Sequence, residues 1–155
     1  IVKWPGVVKP GSRNTDLVQN LDYAQTFLEI AGAPQPKDMQ GLSLVPLLKG
    51  ETTKDWRKEI YYHYYEYPSV HMIPRHYGIR TKRYKLMHFY QFGNEWEMYD
   101  LKIDPDELTN IYGNKETINL QKNLTNRLKK LRTYYEDGSD VSVRPDYIEL
   151  YRKQS

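Results

Sequence analysis

Between residues 115 and 136, Leu120, Leu124, Leu128, Leu131 and Tyr135 recur at spacings of three and four. That is one apolar stripe along a helix, and Lys122, Arg127, Lys129, Lys130 and Arg132 lie largely off it. A stripe of this kind must be buried against another layer, and the preceding residues provide one. Ile60 to Tyr67 is aromatic and β-prone, with Ile60, Tyr62 and Tyr64 on one face and Tyr61, His63 and Tyr65 on the other. Tyr77 to Arg80 and Tyr84 to Tyr90 read as a hairpin turning at Thr81-Lys82-Arg83. Phe92-Gly93-Asn94 is a further turn, and Trp96 to Leu101 a last short strand stopped by Asp104-Pro105. Short strands in succession suggest an antiparallel meander. The expected class is α+β, a small antiparallel sheet packed against a long C-terminal helix that ends at Gly138. The polar remainder from Pro145 to Ser155 reads as a surface strap or disorder.

The first fifty residues have a different texture. Ile1 to Trp4 reads as the end of a strand, and Pro5-Gly6 and Pro10-Gly11 as turns. Leu17, Leu21, Ala24, Phe27, Leu28 and Ala31 follow a helical period, with Asn20 or Asp22 as the cap and Gly32 as the stop. Leu42, Leu44, Val45, Leu47 and Leu48 form a short apolar run closed by Gly50, and the polar stretch from Glu51 to Arg57 marks a boundary. Residues 1–50 and 51–155 are therefore expected as separate units.

The 155 residues carry 23 Lys and Arg against 20 Asp and Glu, a net charge of +3, where a nucleic-acid module usually shows a denser basic stripe. There is no Cys, which excludes disulfides and thiolate chemistry. No membrane span is visible. The four histidines, His63, His71, His76 and His88, show no metal-binding spacing, although His71 and His76 flank one short loop. Asp100, Asp104, Asp106 and Glu107 surround Pro105, where an ordinary turn and helix start explains them better than Ca²⁺ does. No nucleophile elbow or phosphate-binding glycine loop is present. Fifteen tyrosines suit half-buried sheets and sugar-binding surfaces alike. A carbohydrate-binding module is thus one alternative reading, and a nucleic-acid binder a weaker one.

Several segments, taken in order, carry a resemblance. Ile1-Val2-Lys3-Trp4-Pro5-Gly6-Val7 precedes Lys9-Pro10-Gly11-Ser12. Asn20-Leu21-Asp22-Tyr23-Ala24-Gln25-Thr26-Phe27-Leu28 runs on to Ala31-Gly32, with Gln25 where Pro is usual. Then follow Gln40-Gly41-Leu42-Ser43-Leu44-Val45-Pro46-Leu47-Leu48-Lys49-Gly50, Tyr84-Lys85-Leu86, Glu97-Met98-Tyr99-Asp100-Leu101, Asp104-Pro105 with Glu107, and Asn110. Together they resemble the C-terminal portion of the sulfatases, in the alkaline-phosphatase-like superfamily, over roughly residues 1–135. Tyr61 to Pro68 with His71 and His76-Tyr77-Gly78-Ile79-Arg80-Thr81 is most similar to the bacterial N-acetylglucosamine-6-sulfatases, the mucin- and glycosaminoglycan-desulfating group.

The resemblance implies that residues 1–50 are the last strand and helix of the large α/β sulfatase domain, and residues 51–155 its C-terminal subdomain. It implies a sulfuric ester hydrolase whose formylglycine nucleophile and Ca²⁺ ligands lie upstream, so that no catalytic or metal residue is expected here and the segment alone is inactive. It implies a sulfated glycan and the upstream catalytic domain as partners, and a periplasmic or secreted setting. The loop after the first strand of the small sheet is then expected to meet the sugar. Tyr67 would stack on the ring, Arg75 would make forked hydrogen bonds, and His71 and His76 would donate to hydroxyl or acetamido oxygens, with His63 behind them.

Overall fold

The computed structural model describes residues 1–51, 53–67 and 70–138. The chain divides into two compact units, one over Ile1–Lys58 and one from Glu59 onward.

The first unit holds α1 (Asp22–Ile30) and the short α2 (Val45–Leu48). Among the described residues the expected strand at Ile1 to Trp4 pairs with no other strand. The chain turns after it, with the N–H groups of Val7 and Val8 donating to the Trp4 carbonyl at 3.1 and 2.9 Å. The apolar stripe expected to anchor α1 is largely exposed, with Phe27 67% and Leu21 41% accessible. The face that α1 buries is polar instead and carries Asp22, Gln25 and Thr26. Leu21, not Asn20 or Asp22, occupies the cap position.

Asp22 explains this inversion. Its carboxylate accepts from the N–H groups of Gln19 at 2.7 Å and Leu42 at 2.9 Å, and from the two terminal nitrogens of Arg57 at 2.5 and 2.6 Å. One turn later the Thr26 hydroxyl donates to the Asp22 carbonyl at 2.6 Å and accepts from the Leu44 N–H at 2.8 Å. Two polar side chains thereby tie the loop at 41–44 to the helix. Gly41 lies so close that a Cβ there would strike the Leu21 carbonyl and Gln25 Oε1. Gly32 (φ 65°) ends α1 and Gly50 (φ 77°) follows α2, both as expected, because only glycine enters the left-handed region without strain.

The second unit is a four-stranded antiparallel meander of β1 (Glu59–Tyr64), β2 (His76–Thr81), β3 (Tyr84–Phe89) and β4 (Glu95–Asp100), in the order β1-β2-β3-β4. The register sets Tyr61, Ile79, Leu86 and Met98 in one cross-strand row, and His63, Tyr77, His88 and Trp96 in the next row on the same face. A 3₁₀ turn (Lys115–Thr117) leads into α3 (Ile118–Tyr134), whose Leu124 and Leu128 are buried on Tyr77, Ile79, Leu86 and Met98. Leu120 and Leu131 pack around this cluster, so the leucine stripe is the helix side of the core. Arg127 Nε donates to Glu59 Oε2 at 2.6 Å and joins α3 to the start of β1. The turn out of α3 comes at Glu136 (φ 53°), two residues before the expected Gly138, where the Asp137 N–H donates back to the Arg132 carbonyl at 2.9 Å. The expected strap at 145–155 lies outside the described residues.

On the opposite face the row is Tyr62, Gly78, Met87 and Glu97. Gly78 lets the Tyr62 ring lie across it, since a Cβ would sit 2.5 Å from the phenolic oxygen and 2.6 Å from the Leu86 carbonyl. The segment after β4 is held by side chains. Asn110 Oδ1 accepts from Met98 N–H at 3.0 Å and Tyr112 N–H at 2.9 Å, and its Nδ2 donates to the Trp96 carbonyl at 3.1 Å. Asp104 accepts from the Leu108 and Thr109 N–H groups at 3.1 and 2.8 Å.

Two outcomes test this architecture. Leu124→Ala should lower stability by about 2–5 kcal/mol, because the site is closed on all sides, whereas Leu108→Ala on the surface should change it by about 0.5 kcal/mol or less; urea unfolding measures both. Burial works to raise the Asp22 pKa, but the Arg57 hydrogen bonds, the Leu42 and Gln19 N–H groups and the Arg57 charge outweigh it and hold the carboxyl below its ordinary 3.8. The stability this contributes is present above about pH 4 and is lost as pH falls through the folded-state value. Asp22→Asn should destabilise by about 3–5 kcal/mol at pH 7, because it leaves the Arg57 cation unpaired, and should flatten the loss of stability between pH 5 and 2 measured by circular dichroism.

Candidate functional site

In a meander, alternate connections leave the same end of the sheet. The β1–β2 loop at 65–75 and the β3–β4 turn at 90–94 share one end, and the Lys82-Arg83 turn is at the other. The first end gathers the residues singled out from the sequence.

Tyr67 and Arg75 meet there. Arg75 is 8% exposed, and its Nη2 donates to the Tyr67 carbonyl at 2.7 Å. Its own carbonyl accepts from the Tyr90 N–H at 3.2 Å, which fastens the loop to the far end of β3. The Tyr67 ring stands edge-on to Phe92, with centroids 4.8 Å apart at 88°. Phe92 is 64% exposed, and Tyr65, Met72 and Ile73 of the 65–75 loop are exposed as well. His71 is exposed and, among the described residues, has no hydrogen bond or ring contact with the other four. Met72 beside it takes a left-handed backbone (φ 49°).

The register separates the other two histidines. His76 pairs with Tyr64 across β1 and β2 and stacks on its ring at 5.5 Å, on the face away from α3. Its Nδ1 lies 2.9 Å from the Pro74 carbonyl, which accepts from the protonated nitrogen. The hydroxyls of Tyr62 and Tyr64 on that face are buried and meet no partner among the described residues. His63 points to the α3 face. Its Nδ1 is 2.6 Å from Asp137 Oδ2 and its Nε2 2.7 Å from the Tyr90 hydroxyl, and the Tyr61 hydroxyl donates to the same Asp137 oxygen. Tyr65 stacks on its ring at 3.7 Å. His63 is thereby built into the junction of β1, β3 and the end of α3, one layer behind the loop. His88 is structural, set between the Tyr77 hydroxyl at 2.7 Å and Asn94 Oδ1 at 2.5 Å and stacked on Trp96.

Phe92, Tyr90 and Asp137 escaped the sequence reading. Phe92 read only as part of a turn, yet the meander alone places that turn beside the β1–β2 loop. Asp137 lies 74 residues from His63, and nothing local announces the pairing.

The carboxylates after β4 are committed elsewhere. Asp100 accepts from Arg83 Nη2 at 2.7 Å, Glu107 from Lys85 at 2.5 Å, and Asp104 caps backbone. Among the described residues no group of three or more His, Asp or Glu is placed to hold a metal ion.

The N-sulphoglucosamine sulphohydrolase C-terminal family matches residues 1–134. The chain belongs to that family of sulfatase C-terminal domains. It is 49% identical to the N-acetylglucosamine-6-O-sulfatase of Bacteroides thetaiotaomicron over 140 residues, which cover 89% of the chain and 25% of that relative. It is 33% identical to human arylsulfatase K over 116 residues, covering 72% of the chain and 21% of that relative. A solved structure of a protein in complex with its substrate D-glucosamine-2-N,6-O-disulfate superposes with a TM-score of 0.85 at 48% identity, over 90% of the chain and 28% of that protein. The chain thus spans about a quarter of the length of these relatives.

Burial lowers the His63 pKa below the ordinary 6.5, while Asp137 works in the opposite direction. The imidazole is therefore neutral at pH 7, and its share of stability is present above about pH 6.5 and lost as pH falls through the folded-state value. The expected titration midpoint of His63, followed by ¹⁵N NMR, is below 6.5, and Asp137→Asn should lower it further.

Proposed function

We propose that this chain is the C-terminal part of a sulfatase that hydrolyses sulfate esters of sugars, with 6-sulfated N-acetylglucosamine of mucin or glycosaminoglycans as the substrate, and that it shapes the substrate pocket without supplying the nucleophile. The 49% identity to an N-acetylglucosamine-6-O-sulfatase over nine-tenths of the chain carries this reading. The chemistry of the residues supports the division of labour. The chain has no Cys. In this reading the formylglycine and the Ca²⁺ belong to the upstream part of the same polypeptide, where they would supply the attacking oxygen and hold the sulfate.

The loop at 65–75 with the start of β2 is then the segment that meets the sugar. Tyr67 offers a ring for the sugar face, His71 offers a donor to hydroxyl or acetamido oxygens, His76, whose Nδ1–H is taken by the Pro74 carbonyl, offers Nε2 as an acceptor from a sugar hydroxyl, and Arg75 offers a cation. His63 keeps the end of β1 and Tyr90 in place behind them. A periplasmic or secreted setting goes with a glycan substrate of this kind.

The test is sulfate release from 6-sulfated N-acetylglucosamine, with Ca²⁺ present, by the full-length sulfatase carrying this chain and by the chain alone. Release by the full-length protein and none by the chain is the expected result. Tyr67→Ala, His71→Ala and His76→Ala should each raise KM about three- to tenfold, as expected for one lost stacking or hydrogen-bonding contact. Release by the isolated chain would contradict the division of labour. An inactive full-length protein whose isolated chain binds glycan would favour a carbohydrate-binding module instead.

A further inference from the structure

Phe92 stands in the middle of the β3–β4 turn with 64% of its surface open to water. Turn positions ordinarily go to small or polar residues. Among the described residues Phe92 is not one of those packed on Leu124 and Leu128, so the core does not account for it. One exposed ring alone would need no explanation, but this one is held in place. Its turn is fastened on both sides, by the Tyr90 N–H donating to the Arg75 carbonyl at 3.2 Å and by Asn94 Oδ1 accepting from His88 Nε2 at 2.5 Å. The ring itself is set by Tyr67, whose ring stands 4.8 Å away at 88°. Tyr67 is the half-buried member of the pair and Phe92 the open one.

A pyranose has an apolar C–H face that packs flat on an aromatic ring, and a ring already held in place loses little freedom when it is covered. Two rings at right angles cannot both lie flat on the same sugar. If Tyr67 takes the face of the sulfated sugar, the plane of Phe92 suits a different ring, inclined to the first. Phe92 brings neither charge nor hydrogen bond, so what it selects is the C–H face of that ring.

We propose that Phe92 is the platform for a second, uncharged sugar ring joined to the sulfated one, so that a short glycan is preferred over the single sugar. The inference rests on the sulfatase reading above and adds the length of the substrate to it.

The test measures kcat/KM of the full-length protein on three kinds of substrate. They are 6-sulfated N-acetylglucosamine, the same sugar joined to a neutral hexose through its C1 oxygen or its O4, and the same sugar carrying a butyl group in place of each hexose. The readout is the ratio of the better disaccharide to the single sugar. The wild-type ratio should exceed one, and Phe92→Ala should lower it about three- to tenfold, the scale of one lost ring contact. Phe92→Trp keeps a ring and should keep most of the ratio. A wild-type ratio of one, or a ratio that Phe92→Ala leaves unchanged, would overturn the proposal while leaving the sulfatase reading standing. So would a butyl derivative preferred as strongly as the disaccharide, which would make Phe92 a general apolar rim. A wild-type protein inactive on every substrate would overturn both.

Discussion

The burial of Leu124 and Leu128 of α3 on Ile79, Leu86 and Met98 is the contact on which the second unit depends. An antiparallel meander has two faces and needs a layer on at least one of them to leave water. Here the central residue of three successive strands stands in one row, and the helix closes over that row. Once this is set, strand polarity places the β1–β2 loop and the β3–β4 turn side by side, and the loop needs only local fastening. Arg75 supplies it twice, through its carbonyl to Tyr90 and its guanidinium to Tyr67.

Several polar residues of the family pattern are occupied with backbone. Asp22 and Thr26 bind the N–H groups of Leu42 and Leu44, Gly41 makes the approach possible, and Asn110 holds Met98, Tyr112 and Trp96. Each substitutes a side-chain hydrogen bond for a ladder or helix bond in an irregular segment, where an unmet backbone group would be costly. Such roles need one particular side chain at one position.

The second unit was legible because its periods are clean. Alternation gave the faces of β1, the Lys82-Arg83 turn gave the hairpin, and the leucine spacing gave the buried side of α3. The first unit was less so. Its helix period points to Leu21, Ala24 and Phe27, yet the buried face is Asp22, Gln25 and Thr26, because four hydrogen bonds to one carboxylate hold the loop there. Periodicity cannot see a partner such as Arg57, 35 residues away. The same limit hid Asp137 behind His63. Of the five residues named for the sugar, only Tyr67 and Arg75 are joined directly, and the strand alternation that sends His63 and His76 to opposite faces could have been counted from their odd and even positions in the paired strands.

We propose that chemistry and selectivity belong to different parts of one polypeptide, with this chain contributing selectivity through one end of a small sheet. The most direct measurement is a crystal structure of the full-length sulfatase with a 6-sulfated glucosamine bound. The account predicts a polar atom of the sugar within hydrogen-bonding distance of at least one side chain among Tyr67, His71, Arg75 and His76. A bound sugar that touches none of the residues from 65 to 76 would contradict it.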